Sequence, residues 1–383
     1  SGDRKSLDHQ EYFTRLGQKL IAALDAMTMA EHERRAAEQL LYGGAIDRGI
    51  ARMRDVLARV GVDFPTNKVL SIARVVSAQA LGSTRRLEPS VVDRLVRRPH
   101  LDARVDGLHA ATLGLSMTDP LPSAHLQVDH VREALACGDP HRLARALCIH
   151  AVQTAGGWYD PKRTQRILEV IDALVAEHAD PRIEAEVELS RAGVAWMEGR
   201  LEAAVARSER AGVLLQGEAC TGMPWHQDTR RIVALDALEQ LERWDDAEAL
   251  FNVAVADARE RGDRFLEASV LPRWGVTREL RAGDLDRAAV VLERARSVWG
   301  RQDMDPITLQ IAIAEARLLV ARGRLDDARR LVEETNTRMT RSLLWRAYFY
   351  RDRWAMARAE TLLAWLAEHR DRGLARQVEK LLR

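Results

Sequence analysis

GRLEAAVARSERA (199–211), ERWDDAEALFNVA (242–254), GDLDRAAVVLERA (283–295) and GRLDDARRLVEET (323–335) are four versions of one pattern. Each opens on a short turn. An acidic residue and a small residue follow, then usually a larger residue four positions on and a smaller one three further. The first small positions are Ala204, Ala247, Ala288 and Ala328, spaced 43, 41 and 40 residues apart. The next are Ser208, Phe251, Leu292 and Val332, and the last are Ala211, Ala254, Ala295 and Thr335. Positions i, i+4 and i+7 share one face of a helix. Alanine there lets a second helix approach closely, and the larger residue fills the gap beside it. Ser208 is the weak member of its set, and Glu242 stands where the other copies carry glycine.

Three of the copies follow another amphipathic stretch: RIEAEVELSRAGVAWMEG, DTRRIVALDALEQLE and ITLQIAIAEARLLVARG. A lone helix pair cannot bury its apolar face, whereas stacked pairs can. The pattern predicts an all-α chain of antiparallel helix pairs. It resembles the tetratricopeptide repeat (TPR), whose second helix has this small–large–small spacing. A period of about 40 residues implies longer helices and a TPR-like α-solenoid. In the first half, LLYGGAIDRGIARMRDVL echoes the pattern with Gly49, Met53 and Val56. The expected organisation is degenerate repeats over 1–185, TPR-like repeats over 186–340 and capping helices over 341–383, in one continuous array.

Proline supports the helical reading. Asp precedes Pro at 119–120, 139–140, 160–161, 180–181 and 305–306. Asp at the N-cap accepts from a free first-turn amide, and Pro at the first helical position loses no bond. The first four pairs recur about every 20 residues, which predicts helices of roughly 15 residues joined by tight turns. Pro272, inside the apolar run SVLPRWGV, is expected to kink or break its helix. Strand signals are nearly absent.

The chain has 58 Lys+Arg and 57 Asp+Glu, a formal net charge of +1, so nothing global draws it to nucleic acid or an anionic membrane. Three cysteines with no CxxC pair suggest a reduced, cytoplasmic setting. No run of 18 apolar residues predicts a membrane span. Ser1-Gly2, with no initiator Met, reads as the remnant of a cleaved tag on a piece of something longer.

RRAAEQLLYGGAIDRGIARMRDVLARVGV (34–62), LGLSMTDPLPSAHLQ (113–127) and ALACGDPHRLARALCIHA (134–151) carry a wider resemblance. They are similar to the long helical carboxyl-terminal region of large bacterial serine/threonine kinases that also carry an ATPase module, common in myxobacteria-like organisms. That resemblance implies a sensing, autoinhibitory or partner-recruiting appendage. No Gly-rich kinase loop, DFG or phosphate loop is present. His369-Arg370-Asp371 spells HRD, but Arg376 stands where a catalytic loop needs Asn.

Chemistry-bearing residues have structural explanations. Cys137 and His141 straddle Gly138-Asp139-Pro140, and His125 and His130 are five apart, not the four that HExxH-type ligation needs. Asp245-Asp246 and Asp326-Asp327 fall at helix starts, where acids favour the positive end of the dipole. The expectation is no catalysis, no metal and no cofactor. The aromatic clusters point elsewhere: Trp158 and Tyr159; Trp225 with Arg230 and Arg231; and Trp345, Tyr348, Phe349, Tyr350 and Trp354 interleaved with Arg351. Trp345, Tyr348 and Phe349 are spaced for one helix face, and Trp and Arg are favoured at binding hot spots. The expected function is a protein-interaction and regulatory module, with Trp158, Tyr159, Trp225, Arg230, Arg231, Trp345, Tyr350 and Arg351 along a concave groove for a protein or peptide. The alternatives are a freestanding TPR adaptor, or a small-molecule sensor, which a closed apolar pocket near Trp158 or Trp225 would favour.

Overall fold

In a computed structural model the protein is described over residues 29–41, 43–81, 87–116, 118–157, 160–369 and 371–381. Among these the fold is all-α, with eighteen α-helices and no strand. Helix α1 is described over 29–41. Then come α2 (Ile46–Arg59), α3 (Lys68–Leu81), α4 (Asp102–Leu115), α5 (Pro120–Cys137), α6 (Pro140–Gly157), α7 (Pro161–Glu177) and α8 (Pro181–Met197). The four repeat copies are α9 (Leu201–Leu215), α11 (Trp244–Arg261), α14 (Leu285–Trp299) and α16 (Leu325–Arg341). Between them lie α10 (Pro224–Gln240), α12 (Arg264–Val270), α13 (Val276–Ala282) and α15 (Pro306–Ala321), and the chain closes with α17 (Tyr348–Glu368) and α18 (Arg372–Leu381). No described helix is long and apolar enough to cross a membrane.

Each Asp-Pro pair starts a helix at its proline. Asp160, Asp180 and Asp305 accept from the amides of Arg163 (3.1 Å), Arg182 (2.8 Å) and Thr308 (2.8 Å), and Asp139 from that of Arg142 (2.9 Å). Asp119 makes no side-chain cap bond. Helices α5 to α8 run 17 or 18 residues, longer than the proline spacing predicts, because the turns between them are only two to three residues. Pro272 sits in a π-helical segment, Leu271–Gly275, that separates α12 from α13. The wider turn accommodates a residue that cannot donate its amide.

The repeat positions do what their sizes suggest. Ala204, Ala247, Ala288 and Ala328 are fully buried, and so are or nearly so Ser208, Phe251, Leu292, Val332, Ala211, Ala254, Ala295 and Thr335. The turn before each copy needs a left-handed residue: φ is +73° at Gly199, +75° at Gly283 and +70° at Gly323. Glu242 adopts the same conformation at φ 56° and is the one non-glycine among the described residues to do so. A Cβ there costs about 1–2 kcal/mol, and glycine's larger unfolded-state entropy returns about 0.5–1 kcal/mol of that. Glu242→Gly is therefore expected to raise stability by about 0.5–1 kcal/mol, read from the urea midpoint. A loss of stability would refute the strain.

Helices pack first on their sequence neighbours: α8 on α9, α9 on α10, α10 on α11, α14 on α15 and α16 on α17. Connections of three to eight residues join these neighbours. The chain then folds back on itself. Phe349 of α17 meets Trp196 of α8, ring centroids 4.5 Å apart, and α17 also packs on α6. Near the other end, Asp47 of α2 pairs with Arg301 at 2.9 Å, and Gly44 lies so close to α12 that a Cβ on it would sit 2.9 Å from Arg264 Cβ. One apolar cluster accordingly runs from Ala37 to Val378, and a second joins α4 to α8.

Candidate ligand cavity

Helices α8 and α10 are buried on nearly every side, yet carry Glu186, Glu188, Asp228, Arg231 and Asp236. Burying charge is costly unless it is paired, and the pairings decide what this interior can do. Asp228 accepts from Arg261 (2.7 Å) and Arg231 (3.4 Å), and Arg231 also donates to Asp257. Burial, reinforced by the neighbouring Asp263, pushes the Asp228 carboxyl up to about 7. This network ties α10 to α11. Asp236 binds Trp196 Nε1 (2.6 Å), Arg273 (3.4 Å), Arg353 and Gln240 (2.9 Å), which ties α17 and the π-helical segment to α8 and α10.

Inside this frame is an apolar cavity of about 330 Å³. Ile72 and Val75 of α3, Leu121 and Val128 of α5, Leu189 and Trp196 of α8, Trp225 and Ile232 of α10, and Phe349 and Tyr350 of α17 form much of its wall. Beside it lies a polar cavity of about 730 Å³ that includes Arg34, Glu38, Asp106, Arg142, Arg145 and Arg182. His109, Leu113, Glu186, Trp225 and His226 belong to both walls.

The shared wall is chemically specific. Arg145 Nε donates to Glu186 Oε1 at 3.0 Å, and His226 Nε2 stands 3.7 Å from the same oxygen. His109 is 3% exposed, and neither of its ring nitrogens has a hydrogen-bond partner. Its ring meets His130 edge-on at 5.4 Å. The Gln127 amide donates to Ala146 O (2.7 Å), so its oxygen faces His130 Nδ1 (3.2 Å), which must carry the proton. Burial, with Arg145 nearby, holds the His109 imidazole well below its usual range and His130 at about 3. His226 is lowered too, by burial that outweighs the attraction of Glu186. All three are neutral at pH 7.

The residues expected along an open groove are distributed differently. Trp225 is 1% exposed, packs on Phe265 with centroids 4.5 Å apart, and lines both cavities. Tyr350 is buried in the apolar wall, its hydroxyl pushed up to about 12 by burial. Arg231 is buried in the α10–α11 network, and half-buried Arg230 covers Gly212 of α9 while donating to Gln227 (2.6 Å). Trp345 is half-buried against the main core; Arg351 is half-buried, 5.7 Å from the Tyr348 ring. Trp158 and Tyr159 lie outside the described residues. Trp345 does not continue the face of Tyr348 and Phe349: it sits in a 3-10 turn, Leu343–Arg346, and extended Ala347 separates it from α17. Thus Trp225 and Tyr350 come together with Phe349 around one cavity, and Arg231 does not join them.

Sequence reasoning passed over His109, Glu186 and Arg145. The available signal was a lone histidine in the otherwise small and apolar run GLHAATLGL (107–115). Asp245 and Asp246 stand in the first turn of α11, and Asp326 of α16 accepts from Trp365 (2.9 Å). No family model, curated protein or solved structure matches the chain.

Proposed function

We propose that this chain is a ligand-sensing helical domain, a TPR-like array folded back around a small-molecule site. The observation that carries the reading is the apolar cavity between α3, α5, α6, α8, α10 and α17, with a few buried polar groups on one wall. Mainly apolar clefts and cavities of roughly 300–1,000 Å³ with sparse polar groups are what small ligands fill. The groove reading has less support, since Trp225, Arg231 and Tyr350 are buried. Sensing follows from who builds the wall: Phe349 and Tyr350 come from α17, which arrives from the far end of the chain. A ligand that binds the docked arrangement better than an undocked one shifts the balance between them. An output through α17 and α18 suits an appendage of a larger signalling protein, the context implied by the resemblance to kinase-associated helical regions.

The test uses N-phenyl-1-naphthylamine, a neutral fluorophore that brightens in apolar surroundings. The full chain is expected to bind it saturably, near one per chain. Leu189→Trp and Ala124→Phe fill the cavity from α8 and α5 and are each expected to weaken binding by about tenfold or more, with the helical circular dichroism unchanged. Absence of saturable binding, or binding indifferent to both substitutions, defeats the reading.

A further inference from the structure

Three neutral polar groups on the cavity wall have atoms without partners: His109 (Nδ1 and Nε2), His226 (Nδ1) and Thr229 (Oγ1). They come from two helices, α4 and α10, that converge on one side of the apolar space. Unpaired buried polar atoms are rare in folded chains, because each forfeits its hydration. A neutral imidazole offers one donor and one acceptor, and a hydroxyl offers both. The buried charged groups facing the same space are engaged already, and the remaining one stands at the rim. Glu186 holds Arg145 at 3.0 Å with His226 beside it, Arg163 is also partnered, and Arg346 is exposed.

Resting on the cavity being a ligand site, we infer that its occupant is an uncharged, mainly apolar molecule carrying one or two hydrogen-bonding oxygens, which dock on His109, His226 and Thr229. A hydroxyl there would donate to one imidazole nitrogen and accept from another group of the three, while its hydrocarbon body lies along Trp225, Trp196 and Phe349. A carboxylate or ammonium docked on these three groups would meet no free opposite charge on the buried wall, since Arg346 stands at the exposed rim, and would lose its hydration without compensation. The competing arrangement is an amphiphile whose charged head passes the shared wall into the polar cavity, where Arg34, Arg142 and Glu38 stand.

Displacement of bound N-phenyl-1-naphthylamine by 1-octanol, octanoate and octylammonium at pH 7.5 separates these outcomes. 1-Octanol is expected to displace the probe at concentrations about tenfold lower than either ion. His109→Phe, and separately Thr229→Val, are expected to raise the octanol midpoint, corrected for each variant's own probe affinity, by about fivefold each. Two variants on different helices guard against one that fails to fold. Equal or better displacement by octanoate or octylammonium overturns the inference and leaves the cavity reading standing. So does an octanol midpoint that neither variant moves. Failure of the probe to bind the unaltered chain defeats the cavity reading itself.

Discussion

Asp236→Leu is expected to cost about 3–5 kcal/mol of stability and to loosen α17 from the interior. Asp236 is wholly buried and accepts hydrogen bonds from Trp196, Arg273, Arg353 and Gln240. Burial alone would raise its carboxyl, but Arg353 and Arg273 outweigh that and hold it below the ordinary value. Leucine would leave Arg273, itself only 5% exposed, without an acid. An uncompensated buried guanidinium is what makes breaking such a pair more damaging than never having had it. The double variant Asp236→Leu, Arg273→Met should therefore recover at least about half of the loss, since it removes the orphaned charge as well. Urea unfolding followed by circular dichroism reads the stability. A single-variant loss below about 1 kcal/mol, or a double variant no better than the single one, would show that the cluster is not what locks α17 in place.

Acidification from pH 6.5 to pH 5 is expected to remove stability through both His109 and His130, about 1.5 kcal/mol of it through His130. Both folded-state values are depressed, His130 to about 3, against an unfolded value of 6.5. As pH falls below 6.5 the unfolded chain takes up protons that these buried rings refuse, so the folded state loses ground until pH reaches the folded values. Asp228 acts the other way. Its folded carboxyl sits near 7, so it takes up a proton in the folded chain over the same range and returns about 2 kcal/mol. Asp236 takes no part, because a depressed carboxylate loses its contribution only in stronger acid. Urea unfolding of the His109→Phe, His130→Phe double variant at both pH values isolates the histidines. Its pH-dependent loss should be smaller than that of the unaltered chain by at least about 1.5 kcal/mol, the share of His130. An equal loss in both proteins would mean that the two rings are protonated in the fold.

What the sequence reveals and what it hides divide along contact distance. Ala204, Ala247, Ala288 and Ala328 announce their burial because the same size constraint recurs with each helix pair. The Asp-Pro caps and Pro272 are equally legible, since their causes lie within a few residues. Glu242 is visible as an exception only because three glycines define the rule. The cavity has no such signature. Asp236 and Arg353 meet across 117 positions, and each looks like an ordinary charge on an amphipathic helix. Trp345 misleads because helical spacing cannot foresee the break at Ala347. His109 has no cysteine or second histidine close by in sequence to mark it, and its meaning comes from what α10 and α6 place around it.

The two long-range joints, Asp47 with Arg301 and Asp236 with Arg353, also order events in time. Neighbouring helices can pair as soon as they exist, with small loops to close. Joints spanning 254 and 117 positions must wait for the chain between them. During synthesis from the amino end, α4 to α10 can assemble long before Phe349 and Tyr350 emerge. Over that interval Trp196, Trp225 and Ile232 have no α17 to cover them. The nascent chain is thus most prone to aggregation late in translation, and a compound able to occupy that uncovered apolar surface would assist folding before it ever acted as a signal.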